Sequence, residues 1–112
     1  MDQSGESSKP VINVIATVQV KEGRREEFLA LFGRLVPHVR AEAGCIEYGP
    51  TIDIQSAIPI QGPLRENTVV IIEKWVDLES LYVHLKAPHM VQYYADSKDL
   101  VEKTDLQILQ SA

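Results

Sequence analysis

Residues Val11 to Val20 read VINVIATVQV, a run of mostly β-branched side chains that stops at Lys21-Glu22-Gly23, so a strand followed by a turn is expected there. Successive strand residues point to opposite faces. That places Ile12, Val14, Ala16, Val18 and Val20 on one side and Val11, Asn13, Ile15, Thr17 and Gln19 on the other. The first side is wholly apolar and the second only partly polar, so both need cover. Thr68 to Val76 (TVVIIEKWV) is likewise apolar on both faces until Glu73 and Lys74, which predicts a central strand of the same kind.

Between these two strands, Phe28, Leu31, Phe32, Leu35, Val36 and Val39 recur at steps of three and four, the pattern of a helix from Arg24 to about Glu42 with one buried stripe. Glu26 and Glu27 suit the positive end of its dipole, Gly44 suits a left-handed cap, and Pro37 predicts a kink. Cys45 to Ile54 reads as a strand bent at Gly49-Pro50, and Ile58 to Asn67 has the Pro, Gly and charge content of a hairpin arm or loop. Asp77 is placed to cap a helix from Leu78 to Lys86, with Val76 and Leu81 as a hydrophobic staple. Ala87-Pro88 should interrupt it, and Pro88 can open a further short helix to about Asp96. Leu100 to Leu109 is a last strand with Leu106, Ile108 and Thr104 on one face.

The order is βαββαβ, which predicts an α+β, ferredoxin-like domain with a four-stranded antiparallel sheet and its helices on one face. The other face would expose an apolar patch unless a second copy packs against it, so a homodimer through the sheet faces, a dimeric α/β barrel, is expected. Met1 to Pro10, rich in Ser, Gly, Gln and acidic residues, reads as a disordered N-terminal tail, leaving residues 11–112 as a single domain.

At 112 residues, 45% apolar and 24% charged, the chain has the usage of one globular domain. A net charge of -5 disfavours nucleic acid and anionic membrane surfaces as partners. Cys45 is the single cysteine, so no internal disulfide and no cysteine-based zinc site can form, and a small buried apolar role suits it. No apolar run is long enough to span a bilayer and no secretory signal opens the chain, so a cytoplasmic location is expected.

Three stretches, KEGRREEF (Lys21 to Phe28), RAEAGCIEYGP (Arg40 to Pro50) and above all EKWVDLESLYVHLKAPH (Glu73 to His89), resemble the antibiotic biosynthesis monooxygenase family over about Val11 to Leu109. That resemblance implies a pocket between the sheet and the broken second helix, holding a planar phenolic, quinol or anthrone-like substrate without flavin, haem or metal. A base would remove a proton, the resulting anion would pass one electron to O2, and recombination would place oxygen on the ring. The protein's share is desolvation, orientation and proton transfer.

Within that frame His84 is the candidate proton-transfer group, three residues after Leu81 and so near the buried side of its helix; a hydrogen-bonded boundary histidine is the plainer alternative. His89 either touches substrate or caps the junction of the two short helices. On one regular helix these two rings would diverge by about 140° and have no Cys or acidic partner at ligand spacing, so no metal site is expected, unless the proline break brings them together. Glu73 and Trp75 share a strand face. The carboxylate must find a partner or take up a proton, serving as base, histidine orienter or ion-pair member, and the indole either stacks on substrate or packs the core.

Among Tyr48, Tyr82, Tyr93 and Tyr94 as aromatic walls, Tyr48 and Tyr94 are the first choices, and Asn13 reaches either the pocket or the dimer seam. Some monooxygenases of the family carry asparagine where this chain has Ile71, and Asn13, Trp75 and His84 do not match the spacing of its haem-degrading branch. Two other functions compete: isomerisation or breakdown of a small signalling metabolite, for which an inward Lys74 or Lys86 would speak, and a non-catalytic dimeric ligand-binding stress-response role. A cavity bordered by His84 and Trp75 would favour chemistry, and a solid core there the passive role.

Overall fold

The Val11 to Val20 run forms strand β1 over Ile12–Val20, and its apolar side is buried residue by residue while the mixed side is only partly covered. A computed structural model describes residues 9–112 of the protein. Most of the tail expected over Met1 to Pro10 thus lies outside the described residues. After β1 come α1 (Arg25–Arg40), β2 (Cys45–Thr51), β3 (Thr68–Trp75), α2 (Leu78–Leu85), α3 (Pro88–Ser97) and β4 (Val101–Leu109). The sheet order is β2-β3-β1-β4 with every neighbouring pair antiparallel. This is the ferredoxin-like α+β arrangement. In one chain the sheet is open, with β2 and β4 as edges, so no barrel closes.

Phe28, Phe32 and Val39 of α1, Leu81 of α2 and Met90 of α3 pack on the Ile12, Val14, Val18, Val69, Ile71 and Trp75 side of the sheet. Register shows how far that cover extends. Thr104, Leu106 and Ile108 pair with Val18, Ala16 and Val14, hence share the helix-side face as expected. Yet Leu106 and Ile108 are 49% and 45% exposed, because the helices leave the β4 edge bare. On the opposite face Ile15, Val70 and Ile72 sit together, partly buried, beside Asn13, Thr17 and Lys74.

Two local expectations need correction. β2 passes straight through Gly49-Pro50, since an edge strand has no outer partner to miss the proline N–H, and the irregularity falls at Ile46 between Cys45 and Glu47. It also ends at Thr51, not Ile54: residues 52–67 form an arm clipped by Arg65, whose backbone N–H and guanidinium donate to Asp53 at 2.8 to 2.9 Å. Helix α1 runs through Pro37 to Arg40, within the range that its apolar stripe predicts. Asp77 caps α2 as expected, accepting the Ser80 N–H at 2.8 Å.

Gly44 has φ +86°, and its carbonyl accepts the Val76 N–H at 2.9 Å. A Cβ there would stand 2.6 Å from the Ser80 Cβ, so turn and helix touch backbone to side chain. Gly44→Ala should therefore lower unfolding free energy by about 1–3 kcal/mol, read as a lower urea midpoint at unchanged slope. An unchanged midpoint would mean the turn relaxes freely.

Candidate functional site

The Ala87-Pro88 break decides the site. Ala87 is extended (φ -62°, ψ 146°), so α3 starts in a new direction. His84, at the buried face of α2, and His89, in the first turn of α3, now converge on one carboxylate oxygen. His84 Nδ1 lies 3.0 Å from Oε2 of Glu42, and His89 Nε2 lies 2.5 Å from the same atom. Glu42 is held in the turn after α1, its N–H donating to the Val39 carbonyl at 2.9 Å. Sequence reasoning missed it. Glu42 stands within RAEAGCIEYGP, but no periodicity marks a turn residue whose partners come from two other helices.

Burial grades the three groups: His84 is 1% exposed, Glu42 11% and His89 27%. Burial pushes the His84 imidazole below its usual value, against the pull of the Glu42 hydrogen bond and charge. The His84 ring packs 4.6 Å from the Trp75 ring and 5.4 Å from the Tyr48 ring, the latter edge to face. Among the described residues no group of three His, Cys, Asp or Glu side chains is placed to hold a metal ion.

Glu73 and Trp75 do share a face: the indole Nε1–H donates to Glu73 Oε1 at 3.0 Å. Glu73 is 6% exposed, and burial raises its carboxyl to about 7, against the Trp75 bond and with help from the Glu42 charge. Its cross-strand neighbour is Tyr48, whose phenol burial keeps protonated. Cys45 is half-buried and its thiol is raised by burial, as suits a passive role.

A cavity of about 430 Å³ opens between the sheet and α3, walled by Phe32, Tyr48, Ile71, Tyr93 and Tyr94, with Lys98, Val101 and Thr104 toward the bare β4 edge. Its lining differs from that of the expected chamber. His84, Trp75 and Glu73 do not line it; they are packed behind the wall that Tyr48 forms, so at His84 and Trp75 themselves the packing is the solid one set out above for the passive role. Tyr48 and Tyr94 are at the cavity as expected, whereas His89 lines a separate cleft of about 200 Å³ between α1 and α3 with Arg34, His38 and Asp96. Asn13 belongs to neither. Its strand parity sets it on the face away from the helices, opposite Lys74 and Leu109, so it does not reach the cavity.

Lys74 lies on that same far face and Lys86 is exposed at the end of α2, so neither turns into the cavity. Lys98, which sequence reasoning passed over, does. No helix among the described residues is long and apolar enough to cross a membrane.

A ferredoxin-like sheet with an aromatic cavity on its helix side, backed by buried imidazole and carboxyl groups, places the chain among the small ferredoxin-like α+β domains. The chain belongs to the antibiotic biosynthesis monooxygenase family, whose model matches residues 11–96. It is 32% identical over 102 residues to an Escherichia coli (strain K12) protein named "Probable quinol monooxygenase YgiN", an alignment covering 89% of this chain and 97% of that one. The crystal structure of PA3566 from Pseudomonas aeruginosa is 25% identical with a TM-score of 0.77, covering 96% of this chain and 99% of that one. A conserved protein from Methanosarcina mazei Go1 shares the fold at TM-score 0.79 and 24% identity, covering 96% and 98%.

Proposed function

We propose that this protein oxidises a small quinol, phenol or anthrone-like ring with O2 and needs no flavin, haem or metal to do so. The observation that carries the reading is the 430 Å³ cavity walled by Phe32, Tyr48, Tyr93 and Tyr94 directly in front of His84 and Glu73. Flat aromatic walls favour a flat aromatic guest, and exclusion of water favours an anion that reduces O2 readily. The family and the E. coli relative named for quinol oxidation support the same class of substrate.

In this reading the ring lies against Tyr48 and Tyr94, a substrate oxyanion faces Lys98 at the mouth, and His84 accepts the substrate proton past the Tyr48 edge. One oxygen atom of O2 bonds to ring carbon and the other leaves as water. The O–O bond breaks, and a quinol that becomes a hydroxyquinone supplies the four electrons. A second copy covers Ile15, Val70 and Ile72 and completes a homodimer in the cytoplasm. Sedimentation at micromolar concentration is expected to give the dimer, and a single-chain species would contradict that part.

Purified, chelator-treated protein is expected to consume O2 with members of a quinol and anthrone panel faster than buffer alone. Tyr94→Ala and Phe32→Ala, which remove cavity walls, should raise KM. Uptake no faster than buffer across the panel would overturn the reading. Lys98 is the observation that keeps the metabolite-isomerase alternative in view, since an anionic non-aromatic substrate would also meet it. Turnover of such a substrate without O2 uptake would favour that alternative.

A further inference from the structure

Glu42 has no place in the reaction outlined above, yet it is the most connected side chain of the site. One oxygen atom lies within hydrogen-bond distance of a histidine that is 1% exposed and of another that is 27% exposed, and the second ring stacks 6.0 Å from His38 in the α1–α3 cleft. A buried imidazole that takes up protons needs a way to return them, and Tyr48 closes the cavity side. The carboxylate supplies an exit in the opposite direction.

We propose that Glu42 is a positioning residue: its Oε2 holds His84 with the proton on Nδ1, leaving Nε2 to accept, and links the buried ring through His89 to the α1–α3 cleft for proton exchange with solvent. The inference rests on His84 being the proton acceptor of the proposed reaction. A proton arriving at His84 Nε2 displaces the Nδ1 proton onto Glu42 Oε2. That oxygen hands it to Nε2 of His89 when this nitrogen carries its lone pair, and the other ring nitrogen of His89 releases a proton to the cleft. One proton enters and one leaves, no charge accumulates in the core, and when His84 Nε2 later gives its proton to the reduced oxygen a proton returns from the cleft along the same route and restores the Nδ1–H form. The charged and titratable groups around this chain are Arg34 and His38 from α1, Asp96 from α3, Glu73 from β3, and Cys45 and Arg40 beside Glu42. None of these bridges the two rings among the described contacts.

Long-range 1H–15N NMR of the full chain across pH tests this directly. His84 is expected as the Nδ1–H tautomer, with the titration of His89 reported at the His84 nitrogens, and Glu42→Gln is expected to abolish that cross-report. An Nε2–H tautomer at His84, or an equal cross-report in the variant, would overturn the proposal. In O2 uptake, Glu42→Gln should lower kcat roughly 10- to 100-fold with KM little changed, and Glu42→Asp should recover part of it. Should Glu42→Gln fail to fold, His89→Ala serves: its kcat should fall and be rescued by added imidazole, and an unchanged kcat would refute the route. If wild-type protein turns over no quinol, the reaction falls while the NMR coupling still decides the role of Glu42.

Discussion

His84→Gln is expected to lower kcat for quinol oxidation by roughly 10²- to 10⁴-fold, the usual worth of a positioned general base. Glutamine fills similar space and still donates to Glu42, so the variant should fold, but its amide cannot carry a proton near neutral pH. KM should stay within about threefold, because Tyr48 and not His84 lines the cavity. Tyr48→Phe separates two ways of reaching the imidazole. A large kcat loss there means the phenol relays the proton, and a small one means that the ring swings aside. If His84→Gln turns over at the wild-type rate, the base is another group, with Glu73 first in line.

Glu73→Gln is expected to stabilise the fold at alkaline pH and to leave it unchanged at acid pH. The folded carboxyl is raised from 4.5 to about 7, so the folded state holds a proton that the unfolded state has lost. Stability from this group is complete below the unfolded value and is lost as pH rises through about 7, a swing of about 3 kcal/mol. Glutamine mimics the protonated acid and still accepts from the Trp75 indole. Variant and wild type should therefore have equal urea stabilities at the acid end, diverge as pH rises from about 4.5 to about 7 in favour of the variant, and keep a constant gap above that. His84 acts in the opposite sense, its lowered value costing stability as pH falls below about 6.5, but both proteins share that slope and it cancels in the difference. A pH-independent difference would show that the fold leaves the Glu73 carboxyl at its ordinary value, and a difference that favours wild type as pH rises would show it ionised and paired.

Much of this architecture could be read from residue order. The two-faced alternation of Val11 to Val20, the Asp77 cap and the Pro88 start of α3 are local effects, each decided within one turn or strand, and each appears where expected. The site was only half legible. Period two placed Glu73 with Trp75, and burial followed from their neighbours. Two features depend on tertiary convergence that no spacing encodes: Glu42 joins two helices from a turn more than forty residues upstream, and Tyr48 stands between cavity and imidazole because of the β2–β3 register. The register shift at Ile46 is of the same kind, since the sequence shows Gly49-Pro50 as the obvious break while an edge strand tolerates proline. Asn13 shows the limit of residue type alone, for its strand parity turns it away from the site.

The central claim is that the aromatic cavity brings a quinol and O2 together so that the ring itself reduces the oxygen. Reaction of chelator-treated protein with a quinol under 18O2, followed by mass spectrometry of the product, tests it most directly. The account predicts a hydroxylated quinone carrying one labelled oxygen atom, with wild-type protein forming it and His84→Gln forming almost none. An unlabelled quinone accompanied by labelled hydrogen peroxide, at the same rate with and without the protein, would contradict it.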